Sequence, residues 1–310
     1  NLKLITSSRE HTQNLWLDEE LLETRKSCLR SPTSSCVIKQ AHAEAKATTD
    51  IWRRDFSLIF VTEAQVKFGD ITAAIETTEA IKNASLRLPA LLIIAKAHAV
   101  VGNFQEANKI TNEVANNIEK IRMPYIRTWV FALSASALTA TKKFKHARMN
   151  ILEALQTVGQ IKESSTRAEM HALIASAQAG VSDLSGASEN INRAFTEVDK
   201  TEDPFLSALA LTFIASTQSE VGQNKNYKRT ISTALTKALT LRTRPRALVL
   251  AFISSIQAET GDISAAKETI ESAMVAVNMI PDAHSLAPAL AFIGKTLAQI
   301  DSPTHLRPSR

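Results

Sequence analysis

Between residues 52 and 300 apolar positions recur with a helical period and are broken at regular intervals by short polar turns. The last full unit shows the pattern well. Leu250, Ile253, Ile256 and Gln257 share one face before a Gly-Asp break, and Ile263, Ala266, Ile270, Ala273 and Val277 form one apolar stripe after it. Gly261 suits the left-handed residue that ends a helix, and Asp262 suits the cap of the next. The pattern predicts a pair of antiparallel helices joined at Gly261.

The same unit occurs along the chain. "GDITAAIETT" at 69–78 and "GDISAAKETI" at 261–270 are nearly one decapeptide. Equivalent turns fall at Gly69, Gly102, Lys142, Ser182, Gly222 and Gly261, at intervals of 33, 40, 40, 40 and 39 residues. Five positions after each turn stand Ala74, Ala107, Ala147, Ala187, Tyr227 and Ala266. Seven before stand Thr62, Ala95, Ala135, Ala175, Ala215 and Ser254, all small enough for two helices to approach closely. Asn103 with Glu106 forms a capping box. Pro89, Pro124, Pro204, Pro245 and Pro281 are expected to separate one hairpin from the next. One hairpin cannot bury its own stripe, so neighbours must stack.

A small residue, a Gly-Asp or Gly-Asn turn seven positions later, and Ala five and twelve beyond it resemble the tetratricopeptide repeat over about residues 52–300. The units are near 40 residues long rather than the family's 34. Gln65, Gln178, Gln218 and Gln257 replace the large aromatic before the turn. The resemblance implies an all-α chain built as a right-handed α-solenoid of stacked antiparallel hairpins. Residues 1–51 lack the pattern and read as an N-terminal helical cap over the first repeat, with a Cys28–Cys36 loop. Residues 301–310 read as a flexible tail.

Composition agrees with helices: aromatics are 5% of the chain, and 8 Gly with 9 Pro are too few for an all-β protein of 310 residues. A net charge of +5 is spread out, the densest cluster being Lys142, Lys143, Lys145 and Arg148, so nucleic acid is not the expected partner. No stretch reaches the roughly 18 apolar residues that span a bilayer. Cys28 and Cys36, eight positions apart around Ser-Pro-Thr, suit a local disulfide, with two free buried thiols as the alternative. A disulfide, together with the absence of an initial Met, suggests a periplasmic or secreted protein; free thiols would mean a cytoplasmic one.

Catalytic patterns are absent from the sequence. The seven histidines form no metal motif, and no P-loop, nucleophile elbow or dinucleotide fingerprint occurs. His98 and His171 read as packed or surface histidines. No enzyme activity, cofactor or metal is expected. By the resemblance, function lies on the concave wall lined by the first helix of each hairpin. There the column six before the turns presents Glu63, Lys96, Ser136, Ser176, Ser216 and Ser255, with Trp129 as an aromatic anchor at the edge. These residues lack the Lys, Arg and Asn set of arrays that clamp acidic peptide termini. The serines also suit tight helix packing alone. The leading expectation is a scaffold that holds a peptide or partner helix in that groove. The alternative is a carrier for an apolar small molecule or lipid held inside the superhelix.

Overall fold

The structure, a computed structural model, describes residues 19–280 and 286–301. Pro281, residues 1–18 and residues 302–310 of the predicted cap and tail lie outside the described residues. Among the described residues every regular element is helical. Residues 19–30 form α1, followed by α2 (Ser34–Ala47), α3 (Ile51–Phe68), α4 (Ile71–Glu79), α5 (Ala84–Val100), α6 (Phe104–Ala115), α7 (Pro124–Ala140) and α8 (Phe144–Val158). Then come α9 (Ser164–Gly180), α10 (Leu184–Val198), α11 (Pro204–Glu220), α12 (Asn224–Thr240), α13 (Thr243–Glu259), α14 (Ile263–Asn278) and α15 (Ala287–Asp301).

All six turn residues have a positive φ, including the two without glycine, Lys142 at 60° and Ser182 at 63°. Each turn repeats one closure, in which the next residue's N–H reaches back to a carbonyl five positions earlier. Asp70 to Gln65 is 2.9 Å and Asp262 to Gln257 is 2.8 Å, with equivalents in the other four. Asn103 accepts from the Glu106 N–H, whereas Asp262 occupies its cap position without a side-chain bond to the helix. Pro124 and Pro204 open α7 and α11, but Pro89 is buried inside α5, because Asn83 caps that helix six residues earlier.

The hairpins stack through two layers. The inner helices α3, α5, α7, α9, α11, α13 and α15 each pack on the next, while α4, α6, α8, α10, α12 and α14 lie outside. The predicted small columns are the seams between the layers: Ala74, Ala107, Ala147, Ala187 and Ala266 are fully buried, as are Ala95, Ala135, Ala175 and Ala215. The stack then closes. α15 packs against α3 as well as α13, and α2 packs on α15 as its outer partner. The segment expected as a cap over the first repeat packs on α3 and also serves as the outer partner of α15, so an open concave wall becomes the inside of a ring. Buried Arg25 of α1 holds this seam, pairing with Glu44 of α2 at 3.3 Å and donating to the Ile280 carbonyl beyond α14. Cys28 and Cys36 are at disulfide distance, with Cα atoms 5.9 Å apart, and tie α1 to α2.

At the closure α15 approaches α2 so closely that a Cβ on Gly294 would lie 2.5 Å from Ile38 Cγ1 and 3.2 Å from its backbone nitrogen. Gly294→Ala should therefore lower stability by about 1–3 kcal/mol in urea unfolding. An open stack would give the opposite sign, a gain of about 1 kcal/mol from helix propensity.

Candidate functional site

The inner helices share a stripe that faces the ring interior. On α9 it runs through Glu169, Leu173 and Ser176, on α7 through Trp129, Leu133 and Ser136, and on α11 through Leu209, Phe213 and Ser216. These positions are half-exposed, whereas most residues beside them are buried. Seven helices about 10 Å apart set the inner axes roughly 11 Å from the ring centre, so long side chains from different helices meet inside.

One side of the interior is filled by rings. Phe213 packs on Phe252 at 4.7 Å, Phe252 on Phe292 at 4.8 Å, Phe292 on Phe60 at 5.2 Å, and Phe60 on Phe56 at 5.2 Å. Trp129 closes the series against Phe56 at 6.1 Å, so it belongs to an internal cluster and not to the edge of an open groove.

The turn-side end of the interior is charged. Lys295 of α15, 4% exposed, donates to Glu63 of α3 at 2.6 Å and pairs with Glu259 of α13 at 3.0 Å. Lys67 pairs with the same Glu259 at 3.3 Å. Although burial opposes ionisation, the two lysines hold the Glu259 carboxyl down to about 2; both glutamates raise Lys295 above the usual lysine range. Lys96 and Glu220 touch water yet are surrounded by the ring, and burial lowers the lysine and raises the carboxyl against their mutual attraction. Ser176 donates to Glu220.

The predicted column thus divides. Glu63 and Lys96 join this cluster, and Ser176 supports it. Ser136 and Ser216 are half-buried on the inner stripe. Ser255 is fully buried, and its hydroxyl makes no hydrogen bond. It is a packing residue and not an exposed groove position, because α13 is pinned between α11 and α15. Sequence reading missed Lys67, Glu220, Glu259, Lys295 and Glu169. Three of them form a column two before the turns, and Lys295 is the Ser255 position carried one repeat further.

Glu169 stands apart. Burial alone pushes its carboxyl up to about 8, with no hydrogen bond or opposing charge near it among the described residues. His171, by contrast, is buried and bonded to Asn190 at 2.9 Å, and burial lowers its imidazole. A separate open cleft of about 380 Å³ lies between α10, α11 and α12, lined in part by Phe195, Leu211, Arg229 and Lys237. No group of three or more metal-ligating residues occurs among the described residues, and no described helix is long and apolar enough to cross a membrane.

The fold defines a class: an all-α protein of stacked helical hairpins. No protein-family model matches the chain. No curated protein matches it either. Among solved structures it is similar to BtubC (BKLC) from P. vanneervenii, with 12% identity, coverage of 68% of this chain and 89% of that one, and a TM-score of 0.38.

Two outcomes test the interior. Lys295→Met should cost about 1–2 kcal/mol in chemical unfolding by removing the shared partner of two partly exposed carboxylates, and adding Glu63→Gln and Glu259→Gln should recover most of that loss. For Glu169 the folded carboxyl titrates above its unfolded value. Between about pH 4.5 and about pH 8 the folded chain keeps a proton that the unfolded chain has lost, so stability falls as pH rises through that window. The melting temperature of Glu169→Gln relative to wild type should climb across the window and level off above it.

Proposed function

We propose that the protein is a non-catalytic interaction scaffold of tetratricopeptide-like hairpins wound in a right-handed sense, working in the periplasm or as a secreted protein. Ring closure and the internal pairing of Glu63, Lys96 and Ser176 argue against a peptide held along the inner column. The surface that best supports the reading is the outside of α8. Phe144, Met149 and Leu152 are exposed there at 43%, 55% and 59%. The densest cationic run, Lys142, Lys143, Lys145 and Arg148, lies beside them with no carboxylate from 141 to 152. Val101 and Phe104 of the preceding hairpin and Leu184 of the following one are also exposed, each at its own turn. Exposed large apolar side chains grouped on one helix mark contact sites on folded proteins. The fitting partner is a protein segment with apolar anchors and acidic flanks. The Cys28–Cys36 pairing, with no free cysteine among the described residues, supports an oxidising compartment.

A second reading, a carrier for an apolar small molecule, is favoured by the half-exposed inner stripe of α9, which contributes no ring to the aromatic series that ends at Trp129 of α7 and Phe213 of α11.

Phe144→Glu with Leu152→Glu should abolish partner capture from native extract by crosslinking mass spectrometry and leave the melt unchanged within about 0.5 kcal/mol, because both positions are exposed. Unchanged crosslinks would place the docking surface elsewhere.

A further inference from the structure

One column of the repeat is arginine with a single exception. Fifteen positions before the six turns stand Arg54, Arg87, Arg127, Arg167, Ser207 and Arg246. Three of these guanidiniums reach back to the linker before their own helix. Arg87 donates to the Ile81 carbonyl at 2.9 Å, Arg167 to that of Ile161 at 2.8 Å and Arg246 to that of Leu241 at 2.9 Å. Ser207 is too short to do so, and it lines the open cleft of about 380 Å³ between α10, α11 and α12.

The charges change at the same place. In the preceding repeat Arg167 pairs with Glu197 at 2.5 Å and Arg193 with Glu189 at 2.6 Å, so that groove satisfies itself. Forty positions on, Ser207 and Thr233 stand in place of the two arginines, and Lys237 and Arg229 in place of the two glutamates. Both cations line the cleft, and neither has an ion-pair partner among the described residues. The buried pair of His171 and Asn190 is likewise replaced, by Leu211 and Thr230. Ser207 and Thr230 are only 2% and 5% exposed, and neither hydroxyl bonds another described residue. Buried hydroxyls left without a partner favour a ligand that supplies one.

We propose that this cleft binds a small organic carboxylate. Its anionic end is held by Arg229 and Lys237 and bonded by the Ser207 and Thr230 hydroxyls, with its apolar body against Phe195 and Leu211. The two cations lie on one face of α12, about 12 Å apart along the axis, within the combined reach of two long side chains. Asp199 also lines the cleft, so two cations and one carboxylate leave a single positive charge. That balance suits a monoanion better than a doubly charged phosphate ester. The ligand's carboxylate then takes the part that Glu197 plays in the preceding groove.

Calorimetry of the full chain with phenylbutanoate, phenylbutanol, phenylbutylammonium and phenylpropyl phosphate tests this. The carboxylate is expected to bind and to weaken as salt is added, with the alcohol at least about tenfold weaker and no heat from the ammonium. Ser207→Arg with Lys237→Glu rebuilds the Arg167–Glu197 pair inside the cleft, and should abolish binding without lowering the melting temperature. Arg229→Gln, at an exposed position, should weaken binding by about tenfold and leave the melt unchanged. Unchanged phenylbutanoate affinity in either variant, with a cooperative melt, overturns the site. Equal binding of carboxylate and alcohol overturns the role of the two cations, and tighter binding of the phosphate overturns the choice of a carboxylate. No heat with any of the four probes at millimolar concentration overturns the proposal outright.

Discussion

Everything in this molecule depends on the docking of α15 between α13 and α3. Without it, α3 and α13 would each present an apolar flank to water, and the inner stripe would line an open wall. With it, Phe292 and Lys295 join the interior, the first bridging the aromatic series and the second bonding carboxylates from both neighbours. Gly294 allows the approach from the other side, where any side chain would meet Ile38 of α2. Three residues within one turn of α15 therefore serve the closure: Phe292 by its size, Lys295 by its charge and Gly294 by having no side chain.

Closure also decides which electrostatics the interior tolerates. Lys67, Lys96 and Lys295 face Glu63, Glu220 and Glu259, so the turn-side cluster is neutral as a whole, and each charge finds a partner across or along the ring. Lys96, Glu220 and Glu259 reach water at this end, so the pairing is between partly solvated ions, and only Lys295 is fully enclosed by its two carboxylate partners. Glu169, at the other end, is the exception to that pairing, which is why its acid form is favoured. The outside of the ring obeys a different rule: around α8 cations and large apolar side chains stand together in water, where scattered charge costs little.

The hairpin units were legible in the sequence because their determinants are local. A residue that must adopt positive φ, a cap beside it and small residues at fixed offsets lie within one span of about twenty positions, and all six turns read from the sequence carry that backbone conformation. Lys142 and Ser182 were found as turns only through the interval of 40, since neither residue type announces a left-handed position. Part of the charged cluster is legible for the same reason: a fixed offset from the turns puts Glu63, Lys96 and Ser176 in one column.

Its meaning was not legible. Whether a repeat array winds into an open superhelix or meets its own beginning depends on small angles between successive hairpins, which accumulate over seven units and leave no mark in any one of them. A residue column is the same string of letters on an open wall and inside a closed ring. Only the tertiary structure brought Lys295 to Glu63, 232 positions away, and made the N-terminal helix α2 the outer partner of α15. It also set Ser255 in the core and left Glu169 without a counter-ion. The sequence by itself determined the helices, the turns and the seams between paired helices, because these are short-range matters of backbone conformation and side-chain size. The ring, its interior charges and the exposed face of α8 were decided by which surfaces remained once the two ends of the chain had packed together.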